Sequence, residues 1–349
     1  MDMKRDYYED VQLFTSGVVL FWFILLVAFL ALYPFLFKNY YVYVANYVAI
    51  NVIVAIGLNL LVGYTGQISL GHAGFFAIGA YGTISLMAKV HMPFLLALPL
   101  SALAAGLFGV LLGLPALRLE GPYLSIATLG FGLTVTQVIG RIEFFGGRQG
   151  LHAPALTIGP WHLNTDRDFY YLLIPITILL TAAARNLIKT RVGRAFVAIR
   201  DADVAAETMG VNLTHYKTLA FAVSAFYTGI GGGLYAFVLR FIEPQVFTLM
   251  MSILFLAMVV VGGLGSILGA IAGACLLSWL DLELRNILSI PFLGDWLEYL
   301  SKSYFSITGV SNIQFIVYGL IMVLIMLFEP LGIYGFWIRT KKYWKSWPF

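Results

Sequence analysis

The chain has 349 residues, 60% of them hydrophobic and 11% charged, with a mean hydropathy of +0.89. Soluble domains carry about 25% charged residues, so a water-covered globular surface of this size is excluded. The net charge of +4 comes from dispersed Lys and Arg residues that form no nucleic-acid patch, and the single cysteine, Cys275, excludes an intrachain disulfide.

Crossing a bilayer takes roughly 20 apolar residues. Runs of this kind lie at about 14–36, 40–62, 70–89, 93–117, 122–140, 169–188, 216–239, 247–262, 265–284 and 312–328. They predict an all-α integral membrane protein with about ten transmembrane helices. The runs do not alternate in polarity as barrel strands do. Tyr33-Pro34-Phe35 follows the first run where a signal peptide would carry a small-residue cleavage site, so this run reads as a retained span. If the N-terminus is cytoplasmic and every run crosses, 13 of the 21 Lys and Arg residues fall on the inner side and 8 on the outer. That excess has the sign of the positive-inside rule and predicts that both termini are cytoplasmic. One transmembrane domain over residues 1–349 accounts for the chain, with outer loops at about 141–168 and 285–311 and an inner loop at about 189–215.

Between the second and third runs stands "GYTGQISLGHAGFFAIGAY", Gly63 to Tyr81. Irregular backbone at membrane depth survives only where protein or a water-filled cavity satisfies it. Gly63 and Gly66 are expected to break one helix and Gly71 to begin the next, with free amide hydrogens suited to a carboxylate. Tyr64, Thr65, Gln67, Ser69 and His72 are candidates to line a passage, with Thr128, Thr134, Thr136 and Gln137 as a second set. The alternative stays open that the glycines serve packing and the polar side chains bond nearby backbone, His72 being a satisfied structural histidine. Ala73, Ala77 and Ala80 share one face, where small residues permit close helix approach.

The inner loop opens on Lys189, Arg191, Arg194 and Arg200. Asp201 is expected to cap a short helix that Gly210 ends in a left-handed turn, placing Ala202, Ala206 and Met209 on one face beside Ala205. So short a helix needs a docking surface, either a partner's groove or the bundle's own inner end. A second break is expected near 262–265, followed by Gly265, Gly269 and Gly273 on a close-packing face. The predicted span centres hold no Asp, Glu, Lys or Arg; Glu120, Glu143, Glu243, Asp281 and Glu283 fall near span ends. This weakens an ion-coupled mechanism. No lysine follows a glycine, so a phosphate-binding loop is absent, as are zinc-spaced clusters and catalytic constellations.

Four stretches in order resemble the LivM-type permeases of branched-chain amino acid ABC importers: "NLLVGYTGQISLGHAGFFAIGAY", "LRLEGPYLSIATLGFG", "GRAFVAIRDADVAAETMGVNLTHYKTLAFAVSA" and "AMVVVGGLGSILGAIAGA". The resemblance covers almost the whole chain. It implies a non-enzymatic transport subunit in the inner membrane, paired with a second, homologous permease. Two cytoplasmic ATPase subunits would bind the ATP, this chain needing no cofactor of its own, and an extracytoplasmic binding protein would deliver the small-molecule substrate. It also implies that Ala205, Ala206 and Gly210 belong to an E-A-A-x-x-x-G coupling loop, which here includes Arg194, Arg200 and Asp201. Val204 stands where that motif has glutamate, and Glu207 lies within it. Permeases for urea and short amides share many of these motifs, so they remain an alternative. An ion-coupled secondary transporter of two five-span halves is a more distant one.

Overall fold

The computed structural model describes residues 17–116, 119, 121–158, 161–163, 165–288, 310–329 and 331–346. Residues 289–309, most of the expected second outer loop, lie outside them. Each of the ten expected runs is a helix. In order these are α1 (Gly17–Leu36), α2 (Asn39–Thr65), α3 (His72–Val90), α4 (Phe94–Ala116), α5 (Pro122–Ile139) and α6 (Asp166–Lys189). Two short helices, α7 (Arg191–Asp201) and α8 (Asp203–Thr208), precede α9 (Leu213–Leu239), α10 (Leu249–Gly262), α11 (Ile267–Leu288), α12 (Val310–Phe328) and α13 (Gly332–Ser346). Among the described residues, eight helices are long and apolar enough to cross a membrane, and Leu20–Leu36 and Leu249–Gly262 are shorter apolar helices.

The centre of the bundle is α2, buried along nearly its whole length, with α9, α6 and α11 packed against it and α3 packed on α9. Backbone proximity at glycine makes this packing possible. A side chain at Gly79 would collide with the Gly229 backbone, and one at Gly232 with Phe76. Ala73, Ala77 and Ala80 are buried, as their shared face predicts. The outer helices α1, α4 and α12 expose rows of Leu, Ile and Phe, the residues a lipid-facing surface needs.

Two details show how polar backbone is satisfied where water is scarce. Pro34 lies inside α1 and has no N–H to give the Leu30 carbonyl. The Tyr170 hydroxyl donates to that carbonyl at 2.9 Å, and Tyr171 donates to the Ala31 carbonyl at 3.0 Å, joining α1 to α6. α6 itself starts at a capping box: Asp168 N–H donates to Thr165 Oγ1 at 3.3 Å, and Thr165 N–H returns to Asp168 Oδ2 at 3.2 Å.

Between α5 and α6 the chain forms two short 3-10 turns and brief strands. β1 (Leu151–His152) pairs antiparallel with β4 (Phe241–Ile242), and β2 (Thr157–Ile158) with β3 (Trp161–His162). These cover one end of the bundle, opposite α7 and α8.

The expected absence of charge in the bundle needs one correction. Helix α11 continues past residue 284, and Asp281 is 2% exposed inside the bundle. It accepts hydrogen bonds from Tyr47 of α2 at 3.2 Å and Tyr318 of α12 at 2.6 Å. One turn away, Asn51 Nδ2 donates to Ser278 Oγ at 2.9 Å. This polar ladder ties three helices together, which apolar contact with equally apolar lipid does not do specifically.

Candidate functional site

Helix α2 does not break at Gly63, which is still helical. It ends at Gly66, whose φ of 73° and ψ of 9° are left-handed. The amide hydrogens of Gly66 and Gln67 fold back to the Val62 and Leu61 carbonyls at 3.1 and 3.3 Å. Glycine is required there for its backbone: the nearest atom to an added Cβ, Arg200 Cγ, is 3.5 Å away, so space is available. Residues 67–70 then run without regular secondary structure, and exposure alternates along the stretch. Gln67 and Ser69 point inward, Gly66 and Ile68 outward. Helix α3 begins at His72, which meets Ser224, 11 residues beyond the start of α9. At 1.5 Å per residue this is roughly 16 Å into the bundle. The stretch is therefore re-entrant: it turns at one end of α2 and passes back inside before the next helix starts.

Within it, most of the candidate lining residues are committed to internal bonds. Thr65 Oγ1 donates to the Leu61 carbonyl at 2.5 Å. His72 is fully buried, with Nδ1 3.0 Å from Ser69 Oγ and Nε2 2.8 Å from Ser224 Oγ. Thr128 is fully buried, accepting from Leu70 N–H at 3.0 Å and donating to the Ser125 carbonyl at 2.9 Å. The start of α3 does not present the free donors expected for a carboxylate. Ala73 N–H donates to Ser252 Oγ at 2.9 Å and Gly74 N–H to the Gly71 carbonyl at 2.9 Å. Tyr64 is buried. Gln67 is also buried, and its Oε1 has no partner among the described residues.

The exposed polar groups lie on α5 instead. Thr134 and Gln137 are exposed, and an added Cβ at Gly130 would meet nothing within 4 Å. At the end of α5, Thr136, Gln137, Arg141, Arg148 and Gln245 line a cavity of about 290 Å³. Arg141, Arg148 and Gln245 were not anticipated from the sequence, because Gln245 reaches the cavity only through the turn after β4.

The second break follows α10. That helix has 14 residues, about 21 Å, too short for a typical hydrocarbon core. Gly263 and Gly265 take φ of 121° and 74°, and α11 returns along α10. Gly269 and Gly273 lie against the Gly262 backbone, as a close-packing face requires. Gly265 belongs to the turn and not to that face. Asn59 of α2 clasps this turn, accepting from Gly265 N–H at 3.0 Å and donating to the Ser266 carbonyl at 2.8 Å.

The inner loop differs from expectation in its caps. Asp201 is the last residue of α7, and the N-cap of α8 is Ala202. The predicted end is present: Gly210 has φ of 85°, its N–H reaches the Glu207 carbonyl at 2.9 Å, and Val211 N–H reaches the Ala206 carbonyl at 3.0 Å. This is a Schellman closure. The face is not the one expected. Ala206 is 5% exposed and packs on its own chain, whereas Val204 and Met209 are 75% and 85% exposed, with Ala205 and Glu207 also outward. Asp203 pairs with Lys217, holding α8 to α9. Arg194 is exposed and donates to the Lys189 carbonyl at 3.3 Å.

A helical bundle with two glycine breaks converging near a protruding short helix defines a polytopic membrane permease. The family model described as branched-chain amino acid transport system, permease component, matches residues 40–326, and the chain belongs to this ABC-importer permease family. It is 33% identical over 326 residues to the high-affinity branched-chain amino acid transport system permease protein LivM of Salmonella typhimurium, covering 86% of this chain and 71% of that protein. It is 33% identical over 336 residues to LivM of Escherichia coli, covering 88% and 74%. The LivH permease of Salmonella typhimurium is 23% identical over 272 residues, 69% and 86% of the two chains. No solved structure matches the chain.

Proposed function

We propose that this chain is one of two permeases in an importer of branched-chain amino acids, and that the passage runs along the exposed face of α5. The observation that carries this reading is a helix of spanning length, Pro122–Ile139, that exposes Thr134, Gln137 and the open Gly130. Lipid-facing helices do not favour such a surface; a second permease would cover it and leave a polar path between the two. Gln137 joins that path to the Arg141 and Arg148 cavity at the outer end. Buried Thr65, Ser69, His72 and Thr128 then act from behind, holding the re-entrant backbone against the passage. Gln67 supplies an unfilled acceptor beside it.

ATP binds to separate cytoplasmic subunits that contact Val204, Ala205, Glu207 and Met209, and an extracytoplasmic binding protein delivers the substrate. The chain sits in the inner membrane with both termini cytoplasmic. It performs transport and no catalysis of its own, as a single permease domain with no cofactor. The test is to reconstitute the chain with its neighbouring subunits and measure uptake and stimulated ATP hydrolysis across leucine, isoleucine, valine, urea and short amides. Leucine, isoleucine or valine should stimulate both; a response to urea or amides alone would replace the substrate assignment. In a Cys275→Ser background, Thr134→Cys and Gln137→Cys should be blocked by a hydrophilic thiol reagent and protected by substrate. Labelling that leaves uptake intact would remove α5 from the passage.

A further inference from the structure

The Arg200 side chain lies where α7, the end of α2 and the α10–α11 turn converge. Its Nη1 donates to the Gly63 carbonyl at 3.0 Å. That carbonyl lies in the last turn of α2, where helix carbonyls lack intrahelical partners and a cation is favoured. Arg200 Nε and Nη2 meanwhile hold Asp201 Oδ1, each at 3.0 Å. The same guanidinium is against the second break, since an added Cβ on Gly265 would stand 2.7 Å from Nη1. Asn59 closes the arrangement by bonding Gly265 N–H at 3.0 Å and the Ser266 carbonyl at 2.8 Å. Asn59 is 1% exposed, so these bonds are shielded from water.

We infer that Arg200 is the positioning residue that makes α7, the Gly66 break and the Gly263–Gly265 break move as one body when a partner displaces α8. This rests on the ABC-importer reading above and names the link inside that machine. α8 follows α7 after the single residue Ala202 and packs on it, and the exposed Val204 and Met209 lie on α8 and at its C-cap. A push on α8 reaches the re-entrant stretch through the Nη1 bond of Arg200 to the Gly63 carbonyl, while Asp201 beside it on α7 holds the planar guanidinium in that orientation. A lysine at this position has one compact charge and cannot keep both.

The experiment uses the whole importer. Arg200→Ala and Arg200→Lys are compared with the parent for ATPase co-purification, basal hydrolysis, substrate-stimulated hydrolysis and solute imported per ATP. Co-purification and basal hydrolysis should persist in both variants. Solute per ATP should fall by roughly tenfold, the order of effect that loss of a charge-assisted hydrogen bond carries. In Cys275→Ser protein, Ala202→Cys with Leu264→Cys lets a short cleavable bifunctional thiol reagent replace the link. That cross-link should leave Arg200-containing protein active and restore coupling to Arg200→Ala, and cleavage should abolish the rescue. Normal coupling in Arg200→Ala overturns the inference. So does a cross-link that halts import in Arg200-containing protein, because the two segments must then separate. Loss of the ATPase from both variants would make Arg200 a docking residue and overturn it equally. A parent complex that answers to urea and not to leucine defeats the substrate assignment only, and the Arg200 comparison then proceeds with urea.

Discussion

Single residues decide whether polar backbone in this bundle is satisfied. Tyr170 fills the carbonyl that Pro34 leaves without a donor. Tyr170→Phe keeps the ring that stacks on Tyr33, with centroids 5.8 Å apart, and removes only the hydroxyl. An orphaned buried acceptor costs about 1–3 kcal/mol, so thermal unfolding in detergent should move to lower temperature. Tyr171→Phe should move it less, because Tyr171 is more exposed. Gly66 offers a different lesson. An added side chain has room, so the cost of Gly66→Val is the left-handed backbone, about 1–2 kcal/mol. Gly66→Asn should be milder, since asparagine tolerates that conformation. If valine and asparagine lower uptake equally, backbone conformation is not what Gly66 contributes.

At the scale of elements, α8 shows how six residues persist as a helix. Its Schellman closure, the Asp203–Lys217 ion pair and the burial of Ala206 hold it on its own chain. The two faces therefore predict two phenotypes. Ala206→Trp overpacks a buried site, typically a cost of about 1–3 kcal/mol. It should expose residues 203–210 to protease as well as weaken ATPase association. Met209→Ala should weaken ATPase association with no change in protease pattern or melting. Identical protease patterns in the two variants would show that Ala206 does not anchor the helix. The α10–α11 hairpin follows the same logic with backbone contacts, since its glycines at 262, 269 and 273 let the two helices touch.

For the whole molecule, the chain's connections place α7 and α8 at one end of the bundle and the β1–β4 pair at the other. Single cysteines at Met209 and His152, both exposed, should label from opposite sides of sealed membranes in a Cys275→Ser background. The proposed orientation puts position 209 inside. Labelling of both from one side would overturn the crossing number between them; exchange of the two sides would overturn only the orientation.

Hydropathy alone determined the ten helical segments, because spanning length and apolar composition are properties of consecutive residues. The punctuation at Gly66, Gly210 and the Gly263–Gly265 turn was legible for the same reason: glycine's access to positive φ is local. The motif resemblance carried the family. Tertiary structure decided which side of each element is covered. Ala206 and Met209 lie three residues apart on a short helix, and nothing in the spacing says which one meets the bundle. His72, Ser69, Thr128 and Ser224 come from three separate segments, so their mutual satisfaction depends on how α3, α5 and α9 pack. The roles of Asp281, Asn59 and Arg200 were hidden in the same way. Each bonds a group at least 37 residues distant in sequence, and hydrogen bonds at that separation are set by the packed bundle and not by the order of the residues.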